Sequence, residues 1–104
     1  MFKIVEASTD NHNIALKITD AIIQNKLAAC VQIIGNVNST FIWENVVTTE
    51  KEFIIKIKTK DKHISEIKSI IIETTNYELP EIISYSFNLE NREYEKWFNE
   101  NTNP

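Results

Sequence analysis

LAACVQIIGNVNSTFIWE, residues 27–44, is the stretch that decides the fold. It predicts two long strands around one turn at Gly35 and Asn36, where a positive φ angle costs little. Side chains alternate between the two faces of a strand, so a one-sided sheet shows a clean apolar and polar alternation. The second strand alternates in this way, with Val37, Ser39, Phe41 and Trp43 on one face.

The first strand of this stretch is apolar on both faces. Leu27, Ala29, Val31 and Ile33 share one face, while Ala28, Cys30, Gln32 and Ile34 lie on the other, so both faces are apolar for much of the length. Such a strand is expected to be covered on both sides, and a chain of 104 residues has little material for a second layer. The pattern therefore predicts an oligomer.

Composition limits the class of protein. A length of 104 residues with 42% hydrophobic residues predicts one globular domain over residues 1–104. The single glycine excludes a Gly-rich phosphate loop, and the scattered basic residues at net charge −4 predict no nucleic-acid partner.

The expected location is the cytoplasm. Cys30 is the only cysteine, so the sequence allows no internal disulfide and fits a reducing compartment. The first residues lack the apolar run of a signal peptide, and no run approaches the roughly 20 apolar residues that span a bilayer, so no membrane association is expected.

The remaining elements follow in order. Residues 2–7 read as a strand, residues 8–11 as a helix start, and residues 25–26 as the end of that helix. A second turn is predicted at 45–50, a strand at 53–58, and a helix that opens at 59–61 and ends at 74–76. The rest of the sequence predicts a strand after Pro80 and a short helix with Tyr94, Trp97 and Phe98 on one face. The polar tail at 99–104 is predicted to fray.

This order, β-α-β-β-α-β plus a terminal helix, predicts an α+β fold. It is the ferredoxin-like split β-α-β sandwich, here with a long β-hairpin and a C-terminal helix. Two helices cover one face of its antiparallel sheet, which leaves the other face bare, and large apolar surfaces are rarely left in water.

Few residues suggest catalysis, and none is assigned as catalytic. Cys30 lies within an apolar strand, where a free cysteine usually packs as a small hydrophobic residue. His12 and His63 fall in first helical turns without a partner at ligand spacing and are read as surface residues. More informative is the connection at 76–81, which combines Tyr77, two carboxylates and a proline. A merely structured turn is the alternative for this connection.

At these residues the chain resembles the CutA divalent-cation tolerance proteins. The resemblance covers nearly the whole chain and rests on KLAACV at 26–31, on the spacing from Ile34 to Trp43-Glu44, on Glu52 with Lys58-Thr59, on YELPEI at 77–82, and on Tyr94 with Trp97. It implies a ferredoxin-like homotrimer built through the sheets. It further implies a non-enzymatic role in the response to copper and other divalent metal ions.

The chain departs from the family at the positions proposed to bind copper. Ala7 stands where members often carry a cysteine, and Thr74, Thr75 and Asn76 fill a stretch where histidines are common. Copper favours thiolate and imidazole ligands, so tight copper binding is not expected here. Two metal-ligand candidates are left, Glu78 and Glu81, whose oxygen atoms suit weak binding of harder cations.

These residues lead to a hypothesis for a ligand-binding cleft across a subunit boundary. The indole N–H of Trp43 is expected to donate to a carboxylate of the 77–81 connection, and Lys58 to offset one negative charge. The alternative is a structural lock in which Glu78 pairs with Lys58 and nothing binds. The cleft would be formed by Trp43, Lys58, Tyr77, Glu78, Pro80 and Glu81.

Two other functions are alternatives to this one. A small-ligand regulatory module similar to the PII proteins is the main alternative, and it would need a long mobile loop and a basic phosphate site. An acylphosphatase-like hydrolase would need a Gly-rich loop with an arginine after the first strand. The only arginine is Arg92, near the end of the chain.

Overall fold

The computed structural model describes residues 1–104 and has the predicted element order. The four strands form one antiparallel sheet with the order β2-β3-β1-β4, so the α+β sandwich is confirmed. No helix is long and apolar enough to cross a membrane. The elements are β1 (Phe2–Thr9), α1 (His12–Gln24), β2 (Ala28–Trp43), β3 (Val46–Lys60), a 3-10 turn (Asp61–His63), α2 (Ile64–Thr74), β4 (Ile82–Ser86) and α3 (Arg92–Glu100).

The core lies between the sheet and the pair of helices α1 and α2. Alternate strand residues such as Val5 and Ile57 are fully buried there against Ile18 and Ile67. The residues between them point to the opposite face, which no helix of this chain covers over most of its area. Aliphatic side chains make up nearly all of this core, namely Val5, Ala7, Ala15, Ile18, Ile22, Leu27, Ala28, Ile55, Ile57, Ile67 and Ile71.

Gly35 and Asn36 do not form a turn, so the predicted two-strand reading of residues 27–44 is wrong. β2 runs through them as one strand of 16 residues. The pairing moves from Ile34 opposite Ile54 to Val37 opposite Glu52, which leaves one extra residue in β2, a β-bulge. The ring of Phe53 covers Gly35 so closely that a β-carbon there would overlap it.

The hairpin turn lies instead at Glu44 and Asn45, both of which have positive φ angles. Asparagine tolerates this region better than most residues do. The turn predicted over 45–50 is therefore too long, and the strand predicted at 53–58 is too short, because Val46–Lys60 is continuous. We call residues 37–52, the outer half of this hairpin, the arm.

The C-terminal tail is docked, contrary to the prediction that it frays. The Asn103 amide donates to the Lys26 carbonyl oxygen at 2.8 Å, and Thr102 is 2% exposed. Nε2 of His63 donates to the Asn103 carbonyl oxygen at 2.8 Å. His63 is therefore a buried structural residue, whereas His12 is exposed as predicted.

Cys30 is only half buried in the single chain, which corrects its assignment to a fully buried core position. Its partner across the ladder is Lys58, which lies with Ile4 on the uncovered face. Its burial therefore depends on whether another surface covers that face.

Gly35→Ala tests whether close packing at the bulge sets the stability of the hairpin. The added methyl must displace the Phe53 ring, and overpacking of this kind costs about 1–3 kcal/mol. Urea denaturation should show this loss, and Phe53→Leu in the same chain should recover part of it. A change in the unfolding free energy below about 0.5 kcal/mol would contradict the packing described here.

Candidate functional site

A pocket of about 540 Å³ lies between the arm and the connection from α2 to β4. Ser8 near the end of β1 and Asp10 just after it also line the pocket. These parts meet because β4 pairs with β1 and places Ile82 opposite Ala7, so the connection before β4 lies beside the end of β1. The apolar and aromatic residues that line the pocket are Phe41, Ile42, Trp43, Tyr77 and Leu79.

A chain of hydrogen bonds fixes the connection to the end of β1. The Asn11 amide donates to Oγ1 of Thr9, which donates to the side-chain oxygen of Asn76 at 2.7 Å. The Asn76 amide group then donates to Asp10 at 2.8 Å. Thr9 is 1% exposed, so this network holds one wall of the pocket against the core.

Glu52 and Tyr77 join the arm to the connection. The Tyr77 hydroxyl donates to Oε2 of Glu52 at 2.6 Å, although the two residues are 25 positions apart in sequence. Glu52 is 7% exposed, so its carboxylate has lost most of its water. A hydrogen bond to a charged group contributes about 1.5–3 kcal/mol, which partly offsets that loss.

Burial raises the pKa of the Tyr77 phenol well above its ordinary value. The hydrogen bond to Glu52 raises it further, because the phenol must lose the donated proton to ionise, and the negative charges of Glu52 and Asp10 act in the same direction. Tyr77 is therefore a neutral donor at physiological pH.

Carboxylates without basic partners surround the pocket. The structure has two ion pairs, Met1 with Asp61 and Lys96 with Glu100, and neither is near the pocket lining. No group of three histidine, cysteine or acidic side chains converges in a way that could hold a metal ion. The acidic residues that line the pocket are Asp10, Glu50, Glu52, Glu78 and Glu81.

The structure brings together four of the six residues proposed for the cleft. Trp43, Tyr77, Glu78 and Glu81 line the pocket, whereas Pro80 lies in the same connection without lining it. The indole of Trp43 donates no hydrogen bond, so the expected bond to a carboxylate is absent, and its side chain is 42% exposed.

Lys58 lies outside the pocket. It pairs with Cys30 and Ile4, six positions along β3 from Glu52, or roughly 20 Å at the rise of a strand. Lys58 therefore forms no ion pair with Glu78, and the structural lock weighed above does not form within one chain. Strand periodicity correctly predicts the face of β3 on which Lys58 lies. It does not predict how far Lys58 is from the 75–81 connection.

The residues at the family's proposed copper positions have structural roles here. Ala7 is 2% exposed and packs in the core. Oγ1 of Thr75 accepts the Tyr77 amide at 3.1 Å, and Asn76 anchors the connection to β1. Thr74 ends α2.

Sequence reasoning did not assign Asp10, Glu50, Glu52 or Phe41 to the site. Asp10 was read as part of a helix start, and Asn11 is indeed the N-cap of α1. The pairing of β1 with β4 would have placed Asp10 beside residues 76–81. Nothing local in the sequence indicates that Glu52 and Phe41 reach the same point, because the β-bulge decides it.

Tyr77→Phe tests the bond between arm and connection. The variant leaves the buried Glu52 carboxylate without its hydrogen bond, which costs about 1–3 kcal/mol at pH 7. Because the folded pKa of Tyr77 is raised, its contribution is complete below the unfolded pKa of about 10 and is lost as pH rises above it.

Urea denaturation at pH 7 and pH 11 measures both effects. The wild type should lose more stability than Tyr77→Phe between these pH values. Tyr85→Phe is the matched control, because Tyr85 donates to Glu6 on the open sheet face and its pKa is also raised. The Tyr85→Phe variant should still lose the part of the unfolding free energy that depends on the Tyr77 proton between pH 7 and pH 11. Equal pH dependence in wild type and Tyr77→Phe would contradict this assignment.

Comparison with known proteins identifies the family. Residues 3–101 match the model of the CutA1 divalent ion tolerance protein family. The divalent-cation tolerance protein CutA of Thermus thermophilus is 29% identical over 98% of this chain and 99% of its own length. The chloroplastic CutA 1 protein of rice is 28% identical, and the chain spans 56% of its length.

Solved structures agree with the sequence match. The Thermus thermophilus divalent cation tolerance protein superposes with a TM-score of 0.91 over 99% of this chain and 100% of its own. A protein of Archaeoglobus fulgidus, described as the periplasmic divalent cation tolerance protein CutA, gives a TM-score of 0.90 at 25% identity, over 97% of this chain and 98% of its own. The chain belongs to the CutA1 divalent ion tolerance protein family.

Proposed function

We propose that this protein is a non-enzymatic homotrimer that acts in the cellular response to divalent metal ions. The observation that carries the proposal is the acidic pocket, which no basic residue lines, in a chain that matches a divalent ion tolerance family over residues 3–101. A concave site with a single sign of charge concentrates counter-ions, here cations.

The pocket chemistry supports binding rather than catalysis. Neither histidine nor Cys30 lines the pocket, so it offers no imidazole base and no thiol nucleophile. Ser8 and Thr48 also line the pocket, but the Tyr77 phenol, held as a neutral donor, is the only hydroxyl that donates to a pocket carboxylate.

Copper does not fit this pocket as its resident ion. Its preferred thiolate and imidazole ligands are missing from the lining, and only hard oxygen ligands are present. We infer that the pair Glu78 and Glu81 in the exposed connection binds harder divalent cations weakly, with water as the remaining ligand.

A phosphate-binding regulatory role of the PII type has less support. The carboxylates of the pocket would repel an anionic ligand. Lys58, the basic residue expected to offset charge in the cleft, pairs with Cys30 and lies outside the pocket.

Trimer formation is supported by the uncovered sheet face and by the two sheet edges. Ile34, Ile83 and Tyr85 on that face are each about 40% exposed or more, and Ile42 and Val47 at the arm tip are 72% exposed. β2 and β4 are edge strands, whose unpaired backbone groups can pair with another copy. Contact between two different edges of identical chains closes a ring if the rotation between copies allows it. The number three comes from the family resemblance.

We place the protein in the cytoplasm, where its one free cysteine stays reduced. The names of two related proteins give other locations: the Archaeoglobus protein is described as periplasmic and the rice protein as chloroplastic. Fractionation of the source cells, with antibody detection, tests this placement.

The assembly should be visible by light scattering at micromolar concentration. The expected mass is that of three chains of 12.1 kDa each. Cys30 provides a second measurement, because covering the open face should slow its reaction with a thiol reagent until the protein is unfolded. A stable monomer with a rapidly labelled Cys30 would contradict the trimer.

Calorimetric titration with calcium, zinc and copper tests the metal proposal. Calcium and zinc should bind weakly to the wild type, and Glu78→Gln and Glu81→Gln should each weaken that binding several-fold because each removes a charged oxygen ligand. Glu66→Gln, an exposed change on α2 outside the pocket, is the matched control. Unchanged binding in both pocket variants would contradict the role of these two residues.

A further inference from the structure

Glu52 is a buried carboxylate with one oxygen atom free. Its residue exposure is 7%, and its only hydrogen bond is the one that Oε2 accepts from Tyr77. No buried side-chain oxygen in the structure lacks a partner, so Oε1, which accepts no hydrogen bond, must reach accessible space. Glu52 is one of the residues that line the pocket. A largely buried carboxylate with one oxygen atom still open to a ligand therefore borders a cavity that no cationic side chain lines.

The walls around this oxygen are suited to an organic cation. Phe41, Trp43 and Tyr77 provide aromatic rings, and an ammonium group gains about 0.5–2 kcal/mol over such a ring, depending on how far it is desolvated. Leu79 and Ile42 add apolar surface that a hydrated metal ion would not use.

The positions of the carboxylates favour an organic cation over a bare divalent metal ion. Three carboxylates do not converge at any point, so a bare divalent ion would find at most two protein side chains as ligands. The carboxylates of the lining come instead from three places in the chain, namely Asp10 just after β1, Glu50 and Glu52 on β3, and Glu78 and Glu81 in the 75–81 connection, and apolar residues line the same pocket. A flexible chain of methylene groups with an ammonium group at intervals suits a pocket that combines both kinds of surface.

We propose that the pocket binds a linear aliphatic polyamine, with one ammonium group at Oε1 of Glu52 and its methylene chain along the aromatic wall. The outer ammonium groups reach the exposed carboxylates of the lining, such as Glu50. This inference goes beyond the proposed function, because it requires neither metal binding nor a role in metal tolerance.

Calorimetric titration of the protein as purified, with spermidine as the probe, tests this proposal. Spermidine should bind one per pocket, and magnesium chloride at matched ionic strength should displace it only weakly. Glu52→Gln should weaken spermidine binding about tenfold, since it removes the charge but retains an oxygen that can accept the Tyr77 hydrogen bond. Glu50→Gln, at an exposed position of the same pocket, should weaken it several-fold and provides a second test if Glu52→Gln does not fold.

Glu66→Gln changes the net charge equally at an exposed position outside the pocket and should leave spermidine binding unchanged. If Glu66→Gln weakens binding as much as the pocket variants do, the polyamine is held only by the overall charge of −4 and the proposal fails. It also fails if spermidine does not bind, as when a second copy of the chain fills the pocket, or if magnesium displaces it with equal affinity. The calcium and zinc titrations of Glu78→Gln and Glu81→Gln are read independently of these outcomes.

Discussion

One extra residue in β2 determines what the arm presents to the rest of the molecule. Before the bulge, Ile34 shares the uncovered face with Ile54; after it, Val37 shares that face with Glu52. A shift by one residue exchanges the two faces of a strand, so the bulge brings Phe41 and Trp43 onto the side that carries the Glu52 carboxylate. In an unbroken register Ile42 would take their place. The aromatic wall of the pocket therefore depends on Gly35, six positions before Phe41 and eight before Trp43. A glycine is required there because the Phe53 ring occupies the space of its β-carbon.

The Glu52–Tyr77 pair is a second constraint, and it is electrostatic. A carboxylate loses its hydration when it is buried, and a structural role alone would favour an apolar residue or a full ion pair at such a position. Here the carboxylate has one neutral donor and one free oxygen. Real proteins break local design rules mainly at functional sites, and a carboxylate this buried without a cationic partner is such a break. The same pair keeps the phenol un-ionised, so the pocket holds a donor and an acceptor with fixed roles.

Local patterns in the sequence predict most helices and strands well. They predict poorly which residues distant in sequence meet in the folded chain. Helical periodicity and the polar cluster before α1 gave the helix and its start near Asn11, because both signals are local. The Gly35-Asn36 dipeptide favours a turn, but Phe53 and the ladder with β3 override that preference. In the candidate site, Tyr77 could be singled out from its own connection. Glu52 could not, since its place beside Tyr77 follows from the pairing of β3 with β1 and of β1 with β4.

The pocket and the assembly are coupled through the arm. One wall, the 75–81 connection, is tied to β1 by the network at Asn76, whereas the other wall projects on a two-stranded hairpin that has no helix behind its tip. The Tyr77–Glu52 bond is the only hydrogen bond between these walls. An isolated two-stranded ribbon is of marginal stability, so neighbouring copies that cover the exposed apolar residues of the arm would also fix the position of the aromatic wall. If assembly tightens the binding of a ligand that bridges the two walls, linkage requires that ligand to strengthen assembly by the same factor. A mutation of Val47 at the arm tip, a residue that does not line the pocket, would then change the affinity of the pocket.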